Sequence, residues 1–328
     1  MRFLKIFCIL PLFMMLSGCF DYNEMNMQEL VNGVAADVTA QGIRVNVVCA
    51  ATGSEEEKLG TVYEATGKSF FDAVREVAKT ADKKLYWGHA SCILIGEEAC
   101  GDIDSFFDAI LRAQDVYLDI APVIAKGEAA DIVSAKTASG ADVFESISGA
   151  FANERNSKRF RARRLWELLR ERSSSGVCIL PTVEKDGEII SLSGGAVIGE
   201  EGLRGHLSGE QMLLLSLLTE SGAGGYLPPT ELSGGRQVSF EILANEIRRK
   251  EEGDTVRILH SCVLSPAEVK GEVDAGEMER VAKAALESGF SALIEYAEEN
   301  DFGDIFKTGG KRLVTETEIT VSNILGGK

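Results

Sequence analysis

The opening stretch, MRFLKIFCILPLFMMLSGC, decides how much of the chain has to fold and where. Arg2 and Lys5 form a short positive region. Ile6 to Leu16 is an apolar run broken only by Pro11, and the small residues Ser17 and Gly18 lead into Cys19. Charge, apolar core and small-residue exit make the layout of a secretory signal peptide. The apolar run holds eleven residues, and a permanent membrane helix needs about twenty. A buried N-terminal helix fits less well, because Arg2, Lys5 and the Ser-Gly-Cys exit suit export.

The last four residues are more specific. Leu16 at −3, Ser17 and Gly18 at −2 and −1, and Cys19 at the cut resemble the bacterial lipobox. In that chemistry the cysteine sulfur takes a diacylglycerol before cleavage, and an ordinary signal peptide with a chance cysteine is the alternative. One acyl chain binds a membrane marginally, whereas two hold firmly. Residues 1–18 are therefore expected to be a lipoprotein signal peptide, and Cys19 the lipidated first residue of a body tethered on the outer face of a membrane. Past Cys19 the longest apolar run is Met212–Leu218, seven residues, so the body should be globular.

The net charge is −17. That argues against nucleic acid as a partner, since neutralising phosphates takes a positive surface. Of seven cysteines, Cys8 leaves with the signal and Cys19 carries lipid. Cys49, Cys92, Cys100, Cys178 and Cys262 remain, and an odd number cannot all pair within one chain. Most sit in strand-like apolar runs, so core thiols are expected rather than a disulfide framework. No Cys or His spacing suggests zinc. TGKS (66–69) ends like a phosphate loop but has Val62 where a glycine is required, and LSGGR (232–236) has no phosphate loop to accompany it; both read as turns. His89, His206 and His260 are far apart in sequence, and no nucleophile elbow is present. No enzymatic activity, metal or cofactor beyond the covalent diacylglycerol is expected.

Along the chain, strand and helix signals interleave. Residues 29–52 read as two strands joined near Thr39–Gly42, and 60–67 as a third. Phe70, Val74 and Val77 recur at helical spacing. A short buried strand follows at 89–99, then a helix with acids in its first turn at 101–115, a strand at 116–127 and a short helix around 129–134. Residues 142–172 read as helical and SSSG (173–176) as a linker-like break. Strands, a hairpin near Glu200–Gly202 and a helix opening at Ser208 come next. Residues 221–235 read as a loop, 236–273 as about three antiparallel strands, 274–300 as a long amphipathic helix, and 311–327 as a last strand. The fold class is α+β, with mixed and antiparallel sheets each covered by helices, in two to three domains divided as 19–176 and 177–328.

One segment runs against the acidic composition. Arg155, Lys158, Arg159, Arg161, Arg163, Arg164, Arg170 and Arg172 fall within eighteen residues. This is either a solvated helix face or a surface, centred on Arg159, Arg161, Arg163 and Arg164, that meets anionic headgroups or an acidic partner.

Several stretches together resemble the Ger(x)C lipoproteins, the C subunits of bacterial spore germinant receptors. CFDYNEMN (19–26) is similar to that family's opening after the lipobox. Residues 65–100, ATGKSFFDAVREVAKTADKKLYWGHASCILIGEEAC, resemble its most distinctive stretch. ILP (179–181), GGAVIGEEGLRGHLSGEQMLLLSLLT (194–219) and NDFGDIF (300–306) follow the later pattern in order. The departures are Phe20 in place of Trp, Ala36 in place of Gly, and a short stretch between Phe306 and Arg312.

The resemblance implies a non-enzymatic accessory subunit built of α/β-type domains. Its implied place is the outer face of the cytoplasmic (spore inner) membrane, beside two integral-membrane receptor subunits that sense nutrients and handle ions. Direct small-molecule binding is not expected; a lipid-anchored solute-binding protein that captures a nutrient itself is the alternative. For Tyr86, Trp87 and His89 two roles stand side by side: filling core near helix 68–80, or forming a partner-binding patch.

Overall fold

The computed structural model describes residues 27–51, 60–113, 116–269 and 274–322. The signal peptide and Cys19 lie outside the described residues. The body is built on two sheets, which agrees with the α+β expectation.

The first sheet opens with β1 (Gln28–Thr39) and β2 (Gly42–Cys49), an antiparallel hairpin turning at the expected place, with β3 (Val62–Gly67) on its outer edge. Next come α1 (Phe70–Val77), capped by the Ser69 hydroxyl, and β4 (Lys84–Tyr86). β5 (Cys92–Gly96) and β6 (Ala121–Ala125) flank α2 (Ile103–Arg112). Two short helices, α3 (Ala129–Val133) and α4 (Val143–Phe151), precede α5 (Glu154–Ser157) and α6 (Leu165–Ser175). β7 (Cys178–Asp186), β8 (Ile189–Gly199) and β9 (Gly202–Leu207) complete nine strands in the order β3-β2-β1-β5-β6-β7-β8-β9, with β4 paired to β1.

β1, β5, β6 and β7 run parallel, and every residue of β5 and β6 is buried. The reason is that both faces are covered. Phe70, Phe106, Leu165 and Leu168 pack on one side, and Ile132, Phe144 and Ile147 on the other. Asp37 on β1 caps α3, accepting from the backbone N–H of Ala129 (2.6 Å) and Ala130 (3.0 Å).

The second sheet holds β10 (Tyr226–Leu232), β11 (Arg236–Glu252), β12 (Thr255–Val269) and β13 (Arg312–Val321) in that order, β13 parallel to β12. α8 (Ala275–Glu299) lies across it. Between the sheets runs α7 (Gly209–Thr219), started by a capping box between Ser208 and Gln211. It is the MLLLSLL segment, apolar on all sides because it is buried on all sides. It packs with Ile179, Val197 and Leu207 of the first sheet and Phe240, Ile258 and Phe290 of the second region in one core.

Four expectations change. The first sheet continues past residue 176 through β9, so a division at 176 does not separate the sheets. SSSG is no linker: Ser175 ends α6, and Gly176, at φ 72°, is its left-handed C-cap. Residues 236–269 form two long strands, not three. The third partner is β10, inside the segment read as a loop: Pro228 and Pro229 stand at its register shift, opposite Ser239, on an edge strand where missing N–H groups do no harm. The helical reading of 142–172 fails over 158–164, where Lys158 takes φ 51° and ends α5. Backbone groups of this non-helical stretch bond outside helices: the Arg159 carbonyl accepts from Gly194, and Leu165 donates to Ile120. Tertiary contacts there override the helix propensity of an arginine-rich run.

Candidate functional site

Two clusters hold the side chains singled out by sequence, apart from Cys19. The first is the Tyr86–His89 block. β4 pairs in parallel with the very start of β1, Gln28 opposite Lys84 and Leu30 opposite Tyr86. Trp87–His89 then form one 3-10 turn, closed by Ala90 N–H to the Trp87 carbonyl at 3.0 Å. Trp87 is half-buried and packs on the core beneath α1 and α2. Tyr86 and His89 are exposed. Gly88 lets two exposed rings close over the turn: a Cβ there would lie 2.8 Å from the Tyr86 hydroxyl oxygen and 3.2 Å from the Tyr117 ring, and both side chains would have to swing outward. Beside the turn is a groove of about 680 Å³ lined by Phe70, Phe71, Val74, Leu85, Trp87 and Val116, with the exposed Arg75, Lys83, Lys84 and Arg112 also on its walls. The Arg75 guanidinium stacks 4.9 Å from the Phe71 ring centre.

The second cluster is the arginine run, and here the reading of a shared outer surface is corrected. Arg161 is 4% exposed. It reaches inward to the C-terminal end of α7, donating to the Thr219 hydroxyl at 3.0 Å and lying 3.2 Å from Glu220 Oε1. Arg163 binds the same oxygen at 2.6 Å. Arg159 stacks its guanidinium 4.8 Å from the Tyr226 ring centre. Arg164 alone of the four is exposed; its guanidinium donates to the Asp119 carbonyl at 2.7 Å. Arg161 therefore cannot meet a membrane or partner, and Arg159 and Arg163 are half-buried.

This seam has a clear electrostatic cause. A helix C-terminus carries partial negative charge and unpaired carbonyls. The Asn245 amide donates to the carbonyls of Leu217 (3.2 Å) and Glu220 (2.6 Å), and Arg249 donates to that of Leu218. Asn245 Oδ1 in turn accepts from His260 Nε2 at 2.7 Å. Burial alone would push the Glu220 carboxyl up. The fields of Arg161, Arg163 and Lys158 outweigh it and hold the group below the usual carboxylate range. Burial raises Glu154, which accepts from the Ala162 N–H, and lowers Lys158. These groups border a cavity of about 410 Å³ between α5 and the end of α7.

Sequence reading missed Glu220, Asn245 and Trp166. One signal pointed to the first: an acid directly after an apolar helix opposes the helix dipole and requires cations nearby. As for chemistry, no three His, Cys, Asp or Glu among the described residues are grouped to hold a metal. The five described cysteines are free and buried, and burial pushes the thiols of Cys49, Cys100, Cys178 and Cys262 up to about 12, which makes them unreactive. No helix among the described residues is long and apolar enough to cross a membrane.

Comparison with known proteins bears on the whole arrangement. The crystal structure of the GerBC protein aligns with TM-score 0.54 and 16% identity, covering 89% of this chain and 97% of that one, which is a likeness of fold. No curated protein sequence matches. Residues 21–185, half of the chain, match the family model described as the spore germination protein N-terminal domain. That stretch carries the Tyr86–His89 block and the arginine run, while Glu220 and the partners on β10–β12 lie beyond it, and the chain belongs to the Ger(x)C family of spore germination proteins.

Proposed function

We propose that this chain is the lipid-anchored C subunit of a germinant receptor, a non-catalytic scaffold needed for nutrient-triggered germination. The observation that carries the reading is continuity: the family match begins at residue 21, two residues after the cysteine of LSGC. Cys19 carries diacylglycerol, and the body sits on the outer face of the spore inner membrane beside two integral-membrane subunits. The exposed Tyr86 and His89 and the groove beside Trp87 are the surface offered to the membrane or those partners.

Deletion in a strain that depends on one receptor tests the role. Loss of the nutrient response is expected, with Cys19→Ala giving a folded but mislocalised protein. A normal response after deletion would refute the assignment. Thermal-shift measurements with amino acids and sugars test the role from another side: saturable stabilisation by one nutrient would mean that this chain captures it directly.

A further inference from the structure

The described chain begins at the Tyr86 end of the first sheet, where Gln28–Leu30 pair with Lys84–Tyr86. Cys19 precedes Met27 by eight residues, and a chain extends at most about 3.3–3.6 Å per residue. The start of β1 is thus held within about 30 Å of any anchored lipid. Six of the thirteen exposed large apolar side chains among the described residues lie toward this end. Met27 precedes β1, Tyr86 ends β4, and Leu111 ends α2. Tyr117, 64% exposed, and Leu118 lie in the following loop. That loop is bound to the start of α6 by Arg164 to the Asp119 carbonyl and Leu165 to the Ile120 carbonyl, which brings Trp166, 43% exposed, to the same end. Arg170 stacks 5.4 Å from the Trp166 ring centre.

Lys83, Lys84, Arg112 and Arg164 are exposed here too, with the acids Asp82, Asp108 and Asp119, Arg112 pairing with Asp108 at 2.7 Å. With Arg170 and the half-buried Glu29 and Glu167 the charges balance, so in a chain of net charge −17 this end is far less acidic than the rest. Tyrosine and tryptophan with lysine and arginine between them is the side-chain mixture of a membrane–water interface.

We infer that this end of the first sheet docks on the bilayer, with Tyr86, Tyr117, Leu118 and Trp166 at headgroup depth and Lys83, Lys84 and Arg112 among anionic headgroups. The inference rests on Cys19 being the anchor. It gives the lipoprotein one fixed face toward the membrane.

Intrinsic fluorescence reads this face, because Trp87 and Trp166 are the two tryptophans of the chain. The lipidated chain is purified from membranes and reconstituted into vesicles of phosphatidylethanolamine and phosphatidylglycerol, with and without bromine at mid-acyl chain. In the Trp87→Phe variant, brominated chains should quench Trp166. High salt should relieve the quenching. Lys83→Gln with Lys84→Gln should shift the ratio of docked to undocked body by about thirtyfold. Trp166→Phe in the otherwise unchanged chain is the control and should remove most of the quenching. Vesicles that float with the protein while Trp166 stays unquenched overturn the docking and leave the anchor standing. Quenching that needs the integral-membrane subunits also overturns it, and assigns the patch to a protein partner. A chain that fails to float removes the anchor and the docking together.

Discussion

Tyr86–His89 and Arg159–Arg164 both stand out in the sequence as contact-forming, and folding sends them in opposite directions. At the Tyr86 end, a strand of three residues pairs with the first residues of β1, leaving Tyr86 and His89 exposed and Trp87 half-covered. At the arginine run, an acid 57 residues further on draws Arg163 to itself and shares Arg161. A run of like charge keeps its outward face only if no opposite charge lies within reach in the fold. At an aromatic turn, the outcome depends on the depth of the core beneath it.

Removing Glu220 should break this contrast most severely. Glu220→Ala leaves Arg161 buried without its counter-ion, and about 3–5 kcal/mol of stability should be lost in urea unfolding. A loss below about 1 kcal/mol would mean that the seam is not held by charge.

Acid comes next. His260 is 1% exposed, its Nδ1 is without a partner, and burial lowers its pKa to about 4. The folded value lies below the unfolded one, so its contribution is complete above about pH 6.5 and is lost as pH falls toward 4, up to about 3 kcal/mol. Glu220, also lowered, loses its share in the same direction as its carboxyl protonates. Glu154, raised by burial, opposes them, since its contribution is lost as pH rises. Chemical denaturation of wild type and His260→Gln from pH 7 to 4 should show a flatter profile for the variant; parallel profiles would remove His260 from the acid response.

Trp87→Ala should cost about 2 kcal/mol, below the 3–5 of a fully buried aromatic, because the indole is half-covered. The protein should still fold cooperatively; an unfolded variant would make the block core rather than surface. The smallest effect belongs to Tyr86→Ser with Tyr117→Ser, within about 0.5 kcal/mol each in thermal unfolding. A larger loss would mean that these rings stabilise the body itself.

Much of the fold was legible where the signals are local. The β1–β2 turn, α1 from its spacing, α7 from its Ser208 cap, the buried β5 and β6, the long α8 and the last strand all follow from local signals. What escaped depends on distant partners. β10 was hidden because two prolines look like a loop unless the strand is known to lie on an edge. The break at 158–164 comes from contacts with distant residues such as Gly194 and Glu220. At the sites, the two roles left open for Trp87 are both met in part, since the ring is half-buried over the core and half in contact with solvent. Arg161 was misplaced, and Trp166 stayed unnoticed, because only the fold ties the start of its helix to the loop that follows Tyr117 and Leu118.

The most direct test is affinity purification of the chain from spore inner membranes, with the mass of its N-terminal peptide measured and the co-purifying proteins identified. A peptide beginning at Cys19 with diacylglycerol attached is expected, together with two multi-span membrane proteins in constant ratio to the chain. An unmodified Cys19, or a chain that elutes from the membrane alone, would contradict the assignment to a lipid-anchored receptor subunit.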